Sequence, residues 1–288
     1  MQTALFTKVL SDRSLKDACT LASEIGYDGV ELMCRPPHFD VETTDEEAQA
    51  LRDYVRDLGL EIPCLATYTG NYLGKSDAEC EEQLVQLERF CELAEILNVD
   101  LVRHGPGGPA AFEADSTHYE EGAMWMRRAA DRAAKYDKEL GVEIHSGTIV
   151  ESGDDAVRLF ELIDRDNVGA IHDAGNMFIS HADYGRESVE TLDNWLRHVH
   201  VKDERRVAND GTGRFSVRTI EGDEWFEPTL LGEGQTDYEP LFEALAAMDY
   251  DGFVTDECHV SPTESRDTAD IAEAEHKALQ RLLMDGTQ

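Results

Sequence analysis

Four short segments in the second half of the chain run through apolar residues and close on groups that can bind a metal ion. They read Val142-Glu143-Ile144-His145, Ile171-His172-Asp173, Val199-His200-Val201-Lys202-Asp203 and Val254-Thr255-Asp256-Glu257. Glu143, Asp173, His200 and Glu257 together offer three carboxylates and one imidazole. Oxygen donors dominate that set and no thiolate competes, so it suits one Mn²⁺ or Mg²⁺ best, with Co²⁺ or Zn²⁺ also able to bind. With 61 acids in 288 residues, a carboxylate at the end of any one segment means little. The weight lies in the conjunction of four successive segments. Strand alternation sorts the neighbours: with Asp173 and Glu257 facing inward, His172 and Asp256 point the other way and read as structural.

These residues converge only if the right elements carry them. Short apolar runs alternate with long amphipathic ones along the chain, the pattern of repeated βα units around a parallel sheet. Strands are expected at Ala4–Val9, Gly29–Met33, Glu61–Thr67, Leu101–His104, Val142–His145, Gly169–Asp173, His198–Lys202 and Gly252–Glu257. Helices are expected at Leu15–Ile25, Asp45–Leu58, Ala78–Leu97, Tyr119–Leu140, Asp154–Asp164, Ser188–Arg197, Tyr238–Met248 and Thr268–Leu283. Cap signals open several of them, as at Thr44 and Ser152, and Gly26, Gly59 and Gly141 are read as helix ends. Eight such units favour an α/β fold of the closed (β/α)8 TIM barrel type over a doubly wound sheet, with residues 1–288 as a single domain. In that fold the chemistry sits at the C-terminal ends of the strands, where the four candidate ligands lie. One long stretch, Glu204–Gly234, reads as an irregular loop, and Trp225 within it as a candidate pocket wall.

Composition bounds the partners. A net charge of -35, from 26 Lys plus Arg against 61 Asp plus Glu, argues against nucleic acid. The acids are interleaved with apolar residues, which fits a solvated acidic surface on a folded core and resembles proteins of high-salt, halophilic cytoplasms. The six cysteines form no C-x-x-C pair and read as reduced, buried thiols. No signal peptide and no run of about 18 apolar residues is visible, so a cytoplasmic protein without a membrane partner is expected.

The stretch from Glu143 to Glu257 resembles the xylose isomerase-like sugar-phosphate isomerase/epimerase superfamily, which includes ketose 3-epimerases, hydroxypyruvate isomerases and inosose dehydratases. The resemblance rests on Gly141-Val-Glu-Ile-His-Ser-Gly, His172-Asp173-Ala-Gly-Asn176, His198-Val-His-Val-Lys-Asp203, Leu231-Gly-Glu-Gly234 and Tyr250-Asp-Gly-Phe253, with Gly26-Tyr-Asp-Gly-Val-Glu-Leu32 earlier. It implies that Glu143, Asp173, His200 and Glu257 hold the divalent metal, that Glu143 and Glu257 also move protons, and that Arg206 contacts substrate. It further implies a small sugar or polyol substrate and allows a homo-oligomer. Two departures matter. Most relatives place histidine where Asn176 stands, and asparagine hydrogen-bonds a hydroxyl without carrying a proton. His145-Ser-Gly-Thr148 resembles the inosose dehydratase branch, in which His145 or Lys202 would serve the leaving hydroxyl.

The expected substrate contacts are therefore His145, Asn176, Lys202 and Arg206, with His104 of Arg103-His104-Gly-Pro-Gly-Gly108 closing the fourth strand beside them. The leading expectation is a metal-dependent isomerase or epimerase working through an enediolate on a free or phosphorylated small sugar or polyol ketone, the free form being slightly favoured because no basic cluster beyond Arg205-Arg206 is visible. The alternative is a metal-dependent lyase or dehydratase of a keto-sugar or inosose. A non-catalytic sugar-binding barrel is the third reading.

Overall fold

In the computed structural model, which describes residues 1–211 and 213–285, eight parallel strands close into a barrel. They are β1 (Gln2–Phe6), β2 (Gly29–Cys34), β3 (Cys64–Thr67), β4 (Leu101–Arg103), β5 (Glu139–Glu143), β6 (Val168–Asp173), β7 (Leu196–Val201) and a last strand, Phe253–Asp256, that pairs with both β7 and β1. All eight expected strands are present, each shifted by a few residues. The first stops at Phe6, because Thr7–Leu10 tighten into a 3-10 turn that carries Lys8.

Helices alternate with the strands and cover the barrel: α1 (Leu15–Ile25), α2 (Asp45–Asp57), α3 (Asp77–Leu97), α4 (Ser116–Ala133), α5 (Gly153–Ile163), the short α6 (Ala174–Ile179) and α7 (Arg186–Leu192), α8 (Glu239–Ala247) and α9 (Thr268–Asp285). Their starts follow local chemistry. Thr44 accepts from the Glu47 amide while the Glu47 carboxylate accepts from the Thr44 amide, a reciprocal cap repeated by Ser76 and Glu79 at α3. Gly26 ends α1 in the left-handed region at φ 108°. Leu84, Leu87, Phe90, Cys91 and Ala94 of α3 turn inward and are buried, and each large apolar side chain so buried contributes about 1.5–3 kcal/mol. All six cysteines are buried and none is paired. No helix among the described residues is long and apolar enough to cross a membrane.

Three expectations need correction. The helix read over Tyr119–Leu140 ends at Ala133, since Asp137 turns left-handed at φ 56° and Glu139 already belongs to β5. Gly141 is therefore a strand residue, and a side chain there would meet Ile171 of β6 at 2.8 Å. The helix read over Ser188–Arg197 likewise stops at Leu192, leaving Leu196 and Arg197 to β7.

The stretch read as an irregular loop instead holds a three-stranded antiparallel sheet. Its strands are β8 (Asp203–Val207), β9 (Phe215–Thr219) and β10 (Gly222–Thr229), in the order β8-β10-β9; the last barrel strand is accordingly β11. Phe226 of β10 is fully buried, stacked on Phe215 and edge-on to Phe178 of α6. This contact seats the sheet on the barrel. Trp225 pairs across with Val207 and lies half-buried in the sheet.

Candidate metal centre and cavity

β5, β6, β7 and β11 are consecutive neighbours in the barrel, and their C-terminal ends bring four side chains together. Asp173 stands beside His200 in register, and His200 beside Thr255. One donor atom from each of Glu143, Asp173, His200 and Glu257 lies within 4.8 Å of every other. His200 Nδ1 is 3.6 Å from Glu143 Oε1, 3.8 Å from Glu257 Oε2 and 3.9 Å from Asp173 Oδ2.

That nitrogen is buried and has no hydrogen-bond partner. A buried polar atom left unsatisfied requires a cause, and a cation held between this nitrogen and the three carboxylates would supply one. The donor set fits a divalent cation with oxygen preference. As the alternation argument requires, His172 faces away and bonds Ser188 Oγ at 2.9 Å, while Asp256 accepts from the Tyr27 hydroxyl.

Cations brace the carboxylates. Lys202 Nζ is fully buried, 2.7 Å from Glu257 Oε2 and 2.8 Å from Asp173 Oδ2. Arg103 Nη1 is 2.8 Å from Glu143 Oε2, and Asn176 Nδ2 donates to Glu143 Oε1 at 3.2 Å. Burial works against the Glu257 carboxylate, but Lys202, His259 and His200 outweigh it and hold its pKa well below the usual range. Glu143 is held low in the same way, burial being overcome chiefly by Arg103. For Asp173 burial wins despite Lys202, and its carboxyl is pushed up to about 8.

Glu143 and Glu257 open on a cavity of about 340 Å³ whose wall includes Lys8, Tyr68, Arg103, His104, His145 and His259. Asp173 and His200 lie behind them, fully buried. His145 is exposed on this wall with Nδ1 2.8 Å from the Ser146 carbonyl oxygen. His104 is buried between Thr69 Oγ1 at 2.8 Å and Tyr72 OH at 2.6 Å, and burial lowers its pKa to about 3. The other expected substrate contacts are placed differently. Asn176 and Lys202 spend their polar atoms on the carboxylates themselves. Arg206 is engaged by Glu224 at 2.6 Å and by His181 at 3.2 Å, with its guanidinium over Phe178 and Phe226 and away from the cavity wall.

Sequence reasoning missed three residues. Glu31, on β2, is fully buried and accepts from both His198 Nε2 at 2.9 Å and His200 Nε2 at 3.0 Å. Burial opposes its charge, yet His200 and His198 hold its carboxyl well below the usual range. The available signal was a glutamate inside an otherwise apolar strand, Val30-Glu31-Leu32-Met33. Lys8 and His259 were also missed. They leave β1 and β11 on adjacent turns and meet with Lys8 Nζ 2.7 Å from His259 Nε2.

Comparison with known proteins agrees with this architecture. The family described as xylose isomerase-like TIM barrel matches residues 19–282. The inosose dehydratase of Clostridium perfringens strain 13 is 25% identical over 249 residues, covering 82% of this chain and 80% of that protein. Against several other inosose dehydratases the match spans only about half of the relative's length. Among solved structures, the IolI protein with a bound zinc atom superposes at a TM-score of 0.81, with 16% identity and 98% of each chain covered. A D-psicose 3-epimerase determined with D-fructose gives 0.77, with 16% identity and both chains fully covered. The relatives thus include dehydratases and epimerases alike, and by its barrel and matched sequence the chain belongs to the xylose isomerase-like TIM barrel family.

Proposed function

We propose that the protein is a divalent-metal-dependent lyase that removes water from a polyol ketone of the inosose class, with Glu143, Asp173, His200 and Glu257 holding the ion. One observation carries the lyase reading: both glutamates on the cavity wall are clamped by cations, Glu143 by Arg103 and Glu257 by Lys202. Epimerisation asks two carboxylates on opposite faces of one carbon to alternate between accepting and returning a proton. The cations favour the ionised form of both glutamates, the form that accepts a proton and not the one that donates it, and Asn176 beside Glu143 cannot carry a proton instead.

Dehydration asks for one acceptor and one donor. A bound divalent ion would supply a Lewis acid for the ketone oxygen and so acidify the adjacent C–H. Glu257, at the cavity wall, takes that proton, and the Lys202 ammonium beside it steadies the carboxylate. His145, exposed on the same wall, gives a proton to the departing hydroxyl, so that the C–O bond breaks as the C=C bond forms and water leaves. The inosose dehydratase of Clostridium perfringens strain 13, matched over 80% of its length, supports the same chemistry. The cavity, rather than a nucleic acid or a membrane, is where the substrate is expected.

The epimerase reading stands second, supported by the presence of both glutamates on one cavity. The two are separated by incubating the metal-loaded and chelated protein with inososes and keto-sugars in D2O. Metal-dependent loss of water is the expected result. Deuterium uptake into a product isomeric with its substrate, without loss of water, would overturn the lyase in favour of the epimerase. A sugar bound without turnover in the metal-loaded protein would leave the non-catalytic barrel.

A further inference from the structure

Glu151 is buried and has no part in the chemistry described so far. Its carboxylate is fixed from three segments of the chain. Oε1 accepts from the Gly147 amide at 2.6 Å and from the Ser180 hydroxyl at 3.4 Å, and Oε2 accepts from the Ala111 amide at 3.0 Å. Burial pushes its carboxyl above the usual range, although the two amides work against that shift. The Gly147 amide belongs to the same peptide group as the Ser146 carbonyl, and that carbonyl oxygen lies 2.8 Å from His145 Nδ1. A single peptide group therefore connects a buried carboxylate to an imidazole on the cavity wall.

A carbonyl oxygen only accepts, so His145 Nδ1 is the donor in this contact and carries a hydrogen. Nε2 is then the nitrogen that can exchange a proton with substrate. A carboxylate at the amide end of the peptide makes the carbonyl end a stronger acceptor, because hydrogen bonds in a chain polarise one another. The peptide itself is held in place. Gly147 is left-handed at φ 77°, a conformation that suits glycine. The His145 amide donates to the Val150 carbonyl at 2.9 Å, the Thr148 hydroxyl to the His145 carbonyl at 2.8 Å, and the Ile149 amide to the Gly107 carbonyl of the neighbouring loop at 3.0 Å.

We infer that Glu151 is a positioning residue, acting through the Ser146–Gly147 peptide to hold the His145 ring with Nδ1 as its fixed donor and Nε2 presented to substrate. This rests on the proposed function in taking His145 as the group that gives a proton to the departing hydroxyl. In many sites a carboxylate or a backbone carbonyl meets the Nδ1–H group of a working histidine directly. Here the two stand in series, carbonyl first and carboxylate behind it.

The test is nitrogen-15 magnetic resonance of the histidine rings in the Mg²⁺-loaded protein at about pH 8, where an ordinary imidazole is neutral. The His145 signals are assigned by their loss in His145→Asn. The unsubstituted protein is expected to show the Nδ1–H form, and Glu151→Ala to raise the ratio of Nε2–H to Nδ1–H about tenfold, the effect of losing one charge-assisted bond. Glu151→Gln keeps an oxygen for the Gly147 amide without the charge; its ratio is expected to fall between, and it carries the test if the alanine variant does not fold. In dehydration of an inosose, Glu151→Ala should lower kcat about 10–100-fold with KM and metal affinity unchanged, and the double variant Glu151→Ala, His145→Ala should be no slower than His145→Ala alone. An Nε2–H ring in the unsubstituted protein, a ratio unmoved by either substitution, or rate losses that add in the double variant overturns the inference and leaves Glu151 as a loop anchor. A shifted ratio with no dehydration keeps the positioning role and sinks the lyase, while dehydration with the ratio unmoved does the reverse.

Discussion

Glu31 Oε2 accepts from His200 Nε2 at 3.0 Å, which fixes the ring with Nδ1 facing the three carboxylates. The contact joins β2 to β7 across the barrel interior. Carboxylates that orient a ligating histidine in this way typically account for 10–100-fold in metal affinity. Glu31→Gln is expected to weaken metal binding by about that factor, and Glu31→Ala by more, measured by competition with a chromophoric chelator. Unchanged affinity in Glu31→Ala would show that the contact is structural only.

Lys202 offers a second test, because it is caught between Glu257 and Asp173 at 2.7 and 2.8 Å. Removing one partner of a buried charge cluster costs about 3–5 kcal/mol. Lys202→Met should therefore lower stability by that order in the chelated protein, and by clearly less when a divalent ion supplies the positive charge instead. Urea unfolding with and without metal reads the difference. An identical loss in both conditions speaks against a metal between these carboxylates.

His104 gives the molecule an acid limb. Its pKa falls from about 6.5 in the unfolded chain to about 3 in the fold, so the unfolded state binds the extra proton between those values. The stability it contributes is complete above pH 6.5 and is lost as pH falls toward 3, at up to about 1.4 kcal/mol for each pH unit in that window. His104→Asn should flatten the fall of Tm across this range while lowering Tm at pH 8, since it also gives up a bond to Thr69 or Tyr72. A slope between pH 6.5 and 3 equal to that of the unsubstituted protein removes His104 from the account.

The loop that follows β4 makes a prediction about space. Gly107 sits at φ 90°, and a side chain there would come within 2.8 Å of the Asn71 Cα. Gly74 has a similar left-handed backbone at φ 80° with nothing within 4 Å. Gly74→Ala should cost only the backbone strain, about 1–2 kcal/mol, and Gly107→Ala distinctly more. Equal shifts in thermal unfolding would mean that the two loops do not press on one another in solution.

How far sequence alone reaches depends on which interaction placed each residue. The barrel strands were legible because each is an apolar run long enough to be buried, and the four candidate ligands because a polar group closes each of the last four. Helix ends were misread where a helix flows into a strand without a glycine stop, as at Ala133 and Leu192, because local periodicity does not register the strand's claim on the following residues. The β8–β10 sheet escaped notice although Phe215-Ser216-Val217-Arg218-Thr219 alternates as a strand should; its charged, half-exposed faces hid the pattern. Asn176, Lys202 and Arg206 are expected from sequence as substrate contacts, but only three-dimensional placement shows that two brace the carboxylates and the third pairs within the added sheet. Lys8 and His259 could not be paired from sequence, since no local signal links residues 251 positions apart.

That same pair sets a condition on biosynthesis. Lys8 comes from the first turn of the chain and His259 from the turn after the last strand, and they meet only once β11 has slid in beside β1. A nascent polypeptide still emerging from the ribosome therefore has no finished cavity, however much of the barrel has already condensed. Proteolytic loss of the C-terminal strand would likewise remove one wall of the pocket, along with Glu257, instead of trimming a dispensable tail. The cavity wall is complete only when the first and last strands of the barrel have met.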